Sequence, residues 1–282
     1  MPTSEITPGP ALPSTTLTLV GASGQPVCAK VTEVGEGPAV VFLHGLVGLN
    51  DHWEDVVNRV QTRVRCVMLE LPLLDLTGAD CSVDGVEELT SRFLGVHLDS
   101  PAVLVGNSFG GHVALRVALR RPDLVRGMVL AGSSGLIERS MVREVQIRPS
   151  REWLARKIGE LFYDPMHVRE ADLDRAHREL THREKARAMV RLSRTARRNH
   201  LGQQIGRITA PTLLIWGRND VVTPPEAAEE FARLLPDARL VWFDRCGHVP
   251  MVEKPDEFAA AMIRFVDELD KRTPGVNGRG HH

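Results

Sequence analysis

Residues 103–115, VLVGNSFGGHVAL, decide how the chain is to be read: an apolar run ends at Gly106, a lone serine follows between glycines, and a helical pattern continues beyond it. A short apolar run without polar alternation fits a strand buried on both faces, the habit of parallel sheets. Gly106-Asn107-Ser108-Phe109-Gly110 fits G-x-S-x-G, the pattern of a sharp strand-to-helix turn. Such a turn strains the central residue, and only small neighbours let the helix pack close. Ser108 would then project at the carboxyl edge of the sheet, where open α/β folds bind ligands. The competing reading is an ordinary Gly-Ser turn. What separates the two is whether the chain also supplies a base, an acid and an anion site.

Outward from that stretch, five more apolar runs read as buried strands: AVVFL (39–43), VRCVML (64–69), LVRGMVLA (124–131), TLLIW (212–216) and ARLVWF (238–243). TTLTLV and PVCAKVTEV, separated by Ser23-Gly24, predict an opening antiparallel hairpin. Helical patterns in DHWEDVVNRV, DGVEELTSRFLGVHL, GGHVALRVALRR, PPEAAEEFARLL and PDEFAAAMIRFVDEL fill most gaps, several starting at Asp or Pro. Alternation of this kind implies an α/β sheet covered on both faces. The long interval between the strands near Ala131 and Thr212 breaks the rhythm, and REWLARKIGELFYD and REKARAMVRLSRTARR within it carry apolar residues at helical spacing. It is expected to form a helical cap.

Composition narrows the class. At 282 residues a single large core with an inserted subdomain is the better prior than two equal domains. A hydrophobic content of 43% and a net charge of −1 describe an ordinary globular chain and argue against a general nucleic-acid binder. No apolar stretch is long enough to span a bilayer and the N-terminus lacks the regions of a secretory signal, so a cytoplasmic location with no membrane partner is expected. Cys28, Cys66, Cys81 and Cys246 show no metal-ligand spacing and read as free, mostly buried thiols. Without a Walker loop, a G-x-G-x-x-G after a strand or clustered ligands, no cofactor and no metal is expected.

A serine hydroxyl needs a base. His248, in DRCGHVPMVEKPDEF, lies in a loop between a strand and the last helix, at the same sheet edge as Ser108. His112 and His97 belong to helices, and His167, His177, His182 and His200 to the cap. The base must be held in one tautomer by a buried carboxylate. Asp220, in LLIWGRNDVVTPP, follows the preceding strand, with Asp244 as rival and a plain helix cap as its simpler role. Two backbone amides would hold the oxyanion: that of Phe109 after the serine and that of Leu46 in HGLVGLNDHW. His44 would hold that loop by hydrogen bonds rather than act as a catalyst.

Taken together, VVFLHGLVG, VLVGNSFGGHVAL, LLIWGRNDVVTPP and RCGHVPMVEKPDEF resemble the α/β-hydrolase superfamily, in its cap-bearing esterase, lipase and carbon-carbon hydrolase branch. The resemblance implies a mostly parallel eight-stranded sheet with helices on both faces and a helical cap inserted after the sixth strand. It places Ser108, Asp220 and His248 at the catalytic positions, Leu46 and Phe109 at the oxyanion positions and His44-Gly45 in the loop that shapes the hole. The expected division is a tail over 1–14, a core of 15–135 and 207–272, a cap of 136–206 and a tail or tag remnant over 273–282. The serine argues against dehalogenases and epoxide hydrolases, which carry aspartate there. Val249 after the histidine and Leu46-Val47-Gly48 in the oxyanion loop depart from ring-fission hydrolases, which have a tryptophan and a glycine-rich loop.

The implied activity is hydrolysis of a carboxylic ester through an acyl-enzyme. Thioester hydrolysis or acyl transfer, carbon-carbon cleavage, and a non-catalytic receptor or scaffold are the alternatives. Leu73 and Leu74, where relatives carry a glycine-rich turn, would make the pocket wall apolar if their loop borders the site, favouring an apolar acyl or aromatic group on a small ester or thioester. Monomer and homodimer both fit. Residues 139–207 hold 17 Lys or Arg against 9 Asp or Glu, a net +8 against −9 elsewhere. That asymmetry either attracts anionic substrates, an acyl group on an acidic carrier among them, or only solubilises exposed helix faces.

Overall fold

The computed structural model describes residues 12–46, 48–138 and 149–272. Val47 of the oxyanion loop, residues 139–148 of the expected cap, and all of the expected tails except residues 12–14 lie outside the described residues. The chain opens with the antiparallel hairpin β1 (Ser14–Val20) and β2 (Pro26–Val34). Six strands follow: β3 (Ala39–Leu43), β4 (Arg65–Glu70), β5 (Ala102–Asn107), β6 (Val125–Ala131), β7 (Thr212–Gly217) and β8 (Ala238–Phe243). They form one eight-stranded sheet in the order β1-β2-β4-β3-β5-β6-β7-β8, parallel from β4 to β8.

Continuous apolar strands are what a sheet covered on both faces requires, because successive side chains point to opposite sides. Val41, Leu43, Leu104, Leu214 and Trp216 enter one core, with α2 (Val83–His97), α3 (Phe109–Arg120) and α7 (Pro225–Leu234) packed over it. Their neighbours Val40, Phe42, Val103, Val105, Leu213 and Ile215 enter the other, beneath α1 (Glu54–Val60) and α9 (Pro255–Arg272). One residue of slip in any central strand would exchange the two sets.

Between β6 and β7 stand α4 (Arg151–Gly159), α5 (Glu170–Thr181) and α6 (Arg183–Arg198). Each is amphipathic: Leu154 and Ile158, Leu173, Ala176 and Leu180, and Met189 and Leu192 are buried, while most arginines face outward. The sequence reading omitted α5 and the short α8 (Pro250–Glu253) after the histidine loop.

Candidate active site

Ser108 stands between β5 and α3, capping the helix start with φ 54° and ψ −116°. A left-handed φ costs a residue with a Cβ about 1–3 kcal/mol, so the surroundings must enforce it. Its N–H donates to the Ala131 carbonyl at 3.1 Å, and its own carbonyl accepts from His112 and Ser134 at 3.1 and 3.0 Å. Close packing of α3 on β3 depends on Gly110, where a Cβ would fall 2.2 Å from the Leu43 carbonyl oxygen.

His248 and Asp220, twenty-eight residues apart in the chain, meet with Nδ1 2.9 Å from Oδ2, both buried. The carboxylate is saturated. Oδ1 accepts the amides of Val222 and Thr223 at 2.8 and 2.9 Å, and Oδ2 accepts the Thr223 hydroxyl at 2.8 Å. An acceptor-only carboxylate on Nδ1 places the imidazole proton there and leaves the Nε2 lone pair available. Asp244, the rival acid, instead pairs with Arg218 at 2.7 Å on the surface.

Backbone contacts hold the histidine from three directions. The Asn107 side chain donates through Nδ2 to the carbonyls of Ala131 at 2.9 Å and His248 at 3.0 Å, and the His248 N–H donates to the Leu161 carbonyl at 2.7 Å. Gly132, with φ 50°, passes so near that a Cβ there would stand 3.0 Å from Asp220 Oδ2, His248 Nδ1 and the His248 carbonyl oxygen.

Leu46 and Phe109 wall the same cavity as Ser108 and His248. The amide of Phe109 belongs to the first turn of α3, whose N–H groups have no partner within the helix. Gly45 reaches the serine closely, since a Cβ on it would meet Ser108 Cβ at 3.5 Å. His44 is buried away from the cavity with Nδ1 2.8 Å from the Gly45 carbonyl oxygen. Burial pushes its pKa down, against the raising effect of the Gly45 carbonyl, so it stays neutral.

The cavity measures about 210 Å³. Its roof comes from α4 to α6: Trp153, Leu154, Ile158, Leu180 and Met189. Leu73 and Leu74 are not part of the wall; Leu73 is turned into the core between sheet and α2, and Leu74 packs against the opposite core. The apolar lining thus has a different source from the one the sequence suggested. Glu138 and Arg197 supply a polar corner. Burial raises the Glu138 pKa, against hydrogen bonding from Ser134 and the fields of Arg197 and His248.

Near the oxyanion loop, Asp51, His52 and Asp172 bring ligand-type atoms within 4.8 Å of one another. Guanidinium groups already occupy these carboxylates: Arg169 and Arg175 each bond Asp51 at 3.0 Å, and Asp172 takes Arg169 at 2.8 and 3.0 Å and Arg175 at 2.6 Å. Burial would raise the Asp172 pKa, but hydrogen bonds from His52 and Arg169 outweigh it and hold the carboxyl below the usual range. Two fixed cations leave such a set poorly suited to a third, and its evident work is to fasten α5 to the loop after β3.

Sequence reasoning overlooked Thr223, Asn107 and Glu253. Thr223 had a local signal, because an aspartate whose carboxylate accepts amides two and three residues on is an Asx turn. The other two act across the fold and leave no short-range pattern.

The model of the alpha/beta hydrolase family matches residues 40–261. The chain therefore belongs to that family, and a hydrolase is the class of enzyme that fold and match define together. It is 28% identical over 247 residues to a pimeloyl-[acyl-carrier protein] methyl ester esterase of Nitrosomonas europaea, covering 82% of this chain and 96% of that one. A 2-hydroxy-6-oxo-6-(2'-aminophenyl)hexa-2,4-dienoic acid hydrolase of Metapseudomonas resinovorans is 26% identical over 265 residues, covering 88% and 89%. Among solved structures, MGS-MChE2, an alpha/beta hydrolase enzyme from the metagenome of lagoon sediments of Mar Chica, Morocco, superposes with a TM-score of 0.71 at 30% identity, covering 86% and 96%. No described helix is long and apolar enough to cross a membrane.

Proposed function

We propose that the protein hydrolyses a carboxylic ester through an acyl-enzyme on Ser108. The observation that carries this reading is the 2.9 Å contact of His248 Nδ1 with a saturated Asp220, which leaves Nε2 as a base in a cavity that Ser108 also lines. Nε2 accepts the hydroxyl proton as Oγ attacks the carbonyl carbon. The oxyanion is received by the amides of Leu46 and Phe109, while Asp220 stabilises the imidazolium. Collapse expels the alcohol, which takes the proton back from Nε2. Water, deprotonated by the same nitrogen, then attacks the acyl-enzyme and the acid leaves, restoring the serine.

The apolar roof favours an uncharged acyl or aromatic group. Among relatives are both esterases and carbon-carbon hydrolases, and Val249 beside the histidine supports the ester reading. A panel of esters, thioesters and a ring-fission dienoate tests it. Ester turnover that disappears in Ser108→Ala is expected; cleavage of the dienoate in preference to every ester would overturn the choice of bond.

One observation favours a narrower substrate, an ester carried by an acidic protein. Arg183, Arg187, Arg191, Arg194 and Arg198 form a single exposed stripe along α6 and make no ion pair among the described residues, while Met189 and Ala196 on the inner face line the cavity. Arginine forks suit carboxylates, and the pimeloyl esterase relative acts on a carrier-bound ester. Steering of this kind weakens with salt. Turnover of carrier-bound ester falling between 0.05 and 0.5 M salt (roughly a threefold change in Debye length), with small neutral esters unaffected, is expected; parallel behaviour would leave the stripe a solvated face.

A further inference from the structure

Glu253 closes α8, buried to 8% exposure, and its two oxygens face different parts of the molecule. Oε1 accepts the Gly247 N–H at 2.6 Å, in the peptide just before the histidine. Oε2 accepts the Tyr163 and Asp164 N–H groups at 2.8 and 3.3 Å, in the segment after α4. The His248 N–H completes the seam by donating to Leu161 at 2.7 Å. The backbones meet so closely that a Cβ on Gly247 would lie 2.6 Å from the Leu161 carbonyl oxygen. Leu161 and Phe162 of the same segment also wall the substrate cavity.

We propose that Glu253 is a positioning residue that makes the cap and the catalytic histidine one mechanical unit, its carboxylate joining the wall felt by the acyl group to the loop that aims His248. A carboxylate suits the place because the groups that bond it are donors, the N–H groups of Gly247, Tyr163 and Asp164 together with the Cys246 thiol. A neutral amide cannot replace it, since one end would oppose donor to donor, whichever way it turned. Loosening the seam moves the base most, because Oε1 holds the peptide directly before His248. This inference rests on the Ser108–His248 reading.

The experiment compares Glu253→Gln with the wild type by steady-state ester kinetics, by the rate of Ser108 labelling with a small fluorophosphonate, and by the low-field proton resonance of the His248 Nδ1–H. Misplacement of a catalytic group by about 1 Å costs up to about 10²-fold, so kcat and labelling should fall about tenfold to a hundredfold with KM changed by less than about threefold. The imidazole resonance should shift or broaden. Should Glu253→Gln not fold, Glu253→Asp keeps the charge with one methylene less reach, and its kcat and labelling rate should fall severalfold below the wild type with KM little changed, wild-type values overturning the proposal. Wild-type kcat, labelling and resonance in a folded variant would overturn the proposal; so would a loss of stability alone, with these three unchanged. The resonance is read whether or not the protein turns over, so failure of wild-type labelling counts against the Ser108 reading, while an unmoved resonance counts against Glu253.

Discussion

Replacing Gly132 by alanine puts a methyl group against the Asp220–His248 pair. The added Cβ would meet Oδ2, Nδ1 and the histidine carbonyl oxygen at 3.0 Å each, where ordinary Cβ contacts begin near 3.4 Å, so the pair must yield by a few tenths of an ångström. At φ 50° the alanine also carries left-handed strain of about 1–2 kcal/mol. A displacement of that size, a fraction of the 1 Å that costs up to about 10²-fold, should lower kcat about tenfold. Gly135 provides the control: its φ is 114°, but a Cβ there would make only ordinary contacts, with the His112 ring at 3.4 Å and Leu115 at 3.5 Å. Urea unfolding together with single-turnover labelling of the serine separates strain from misalignment. Both alanine variants should lose stability, and only Gly132→Ala should lose rate. Equal rates in the two, with matching losses of stability, would refute the claim that this pair governs reactivity.

Two further outcomes follow from burial. His112 is fully buried on α3, and desolvation, helped by Arg116, pushes its pKa down to about 3. The folded value lies below the unfolded one of about 6.5, so the unfolded state binds the extra proton and stability falls as pH drops from 6.5 toward 3, by up to about 4 kcal/mol from this group. Denaturation across that range should show a shallower acid loss in His112→Leu, and an unchanged slope would contradict the assignment. Burial also pushes the Cys66 thiol up to about 12 and raises Cys81 and Cys246, while Cys28 is exposed on β2. A thiol reagent at neutral pH should therefore titrate one cysteine per native chain and four after unfolding, and fast reaction of a second in the folded protein would be inconsistent with this packing.

The fold was legible because its signals are local. Short unbroken apolar runs such as AVVFL and TLLIW suit a doubly covered sheet, and glycines at 106 and 110 announce the turn around Ser108. That Asp220 rather than Asp244 meets His248 was also within reach, since position after a strand outweighs nearness to the histidine in the chain. The cavity wall was not legible. Leu73 and Leu74 stood at the right place in the chain, yet the loop folds them inward and the roof is assembled from α4 to α6, whose arrangement over the sheet no short pattern specifies. Helix α5 was overlooked because Leu173, Ala176 and Leu180, although correctly spaced, are diluted by charges that turn out to pair with Asp51 and with one another. Glu253 carries no short-range signal that sets it apart from a surface acid, and only the approach of two distant backbones shows why it is buried.

The most direct trial of the central claim is mass spectrometry of the protein quenched during turnover of a slow ester. An increment equal to the acyl group, mapped to the peptide containing Ser108 and absent in Ser108→Ala, is the result this account predicts. Steady turnover with no acyl adduct at that serine, or an adduct on another residue, would contradict it.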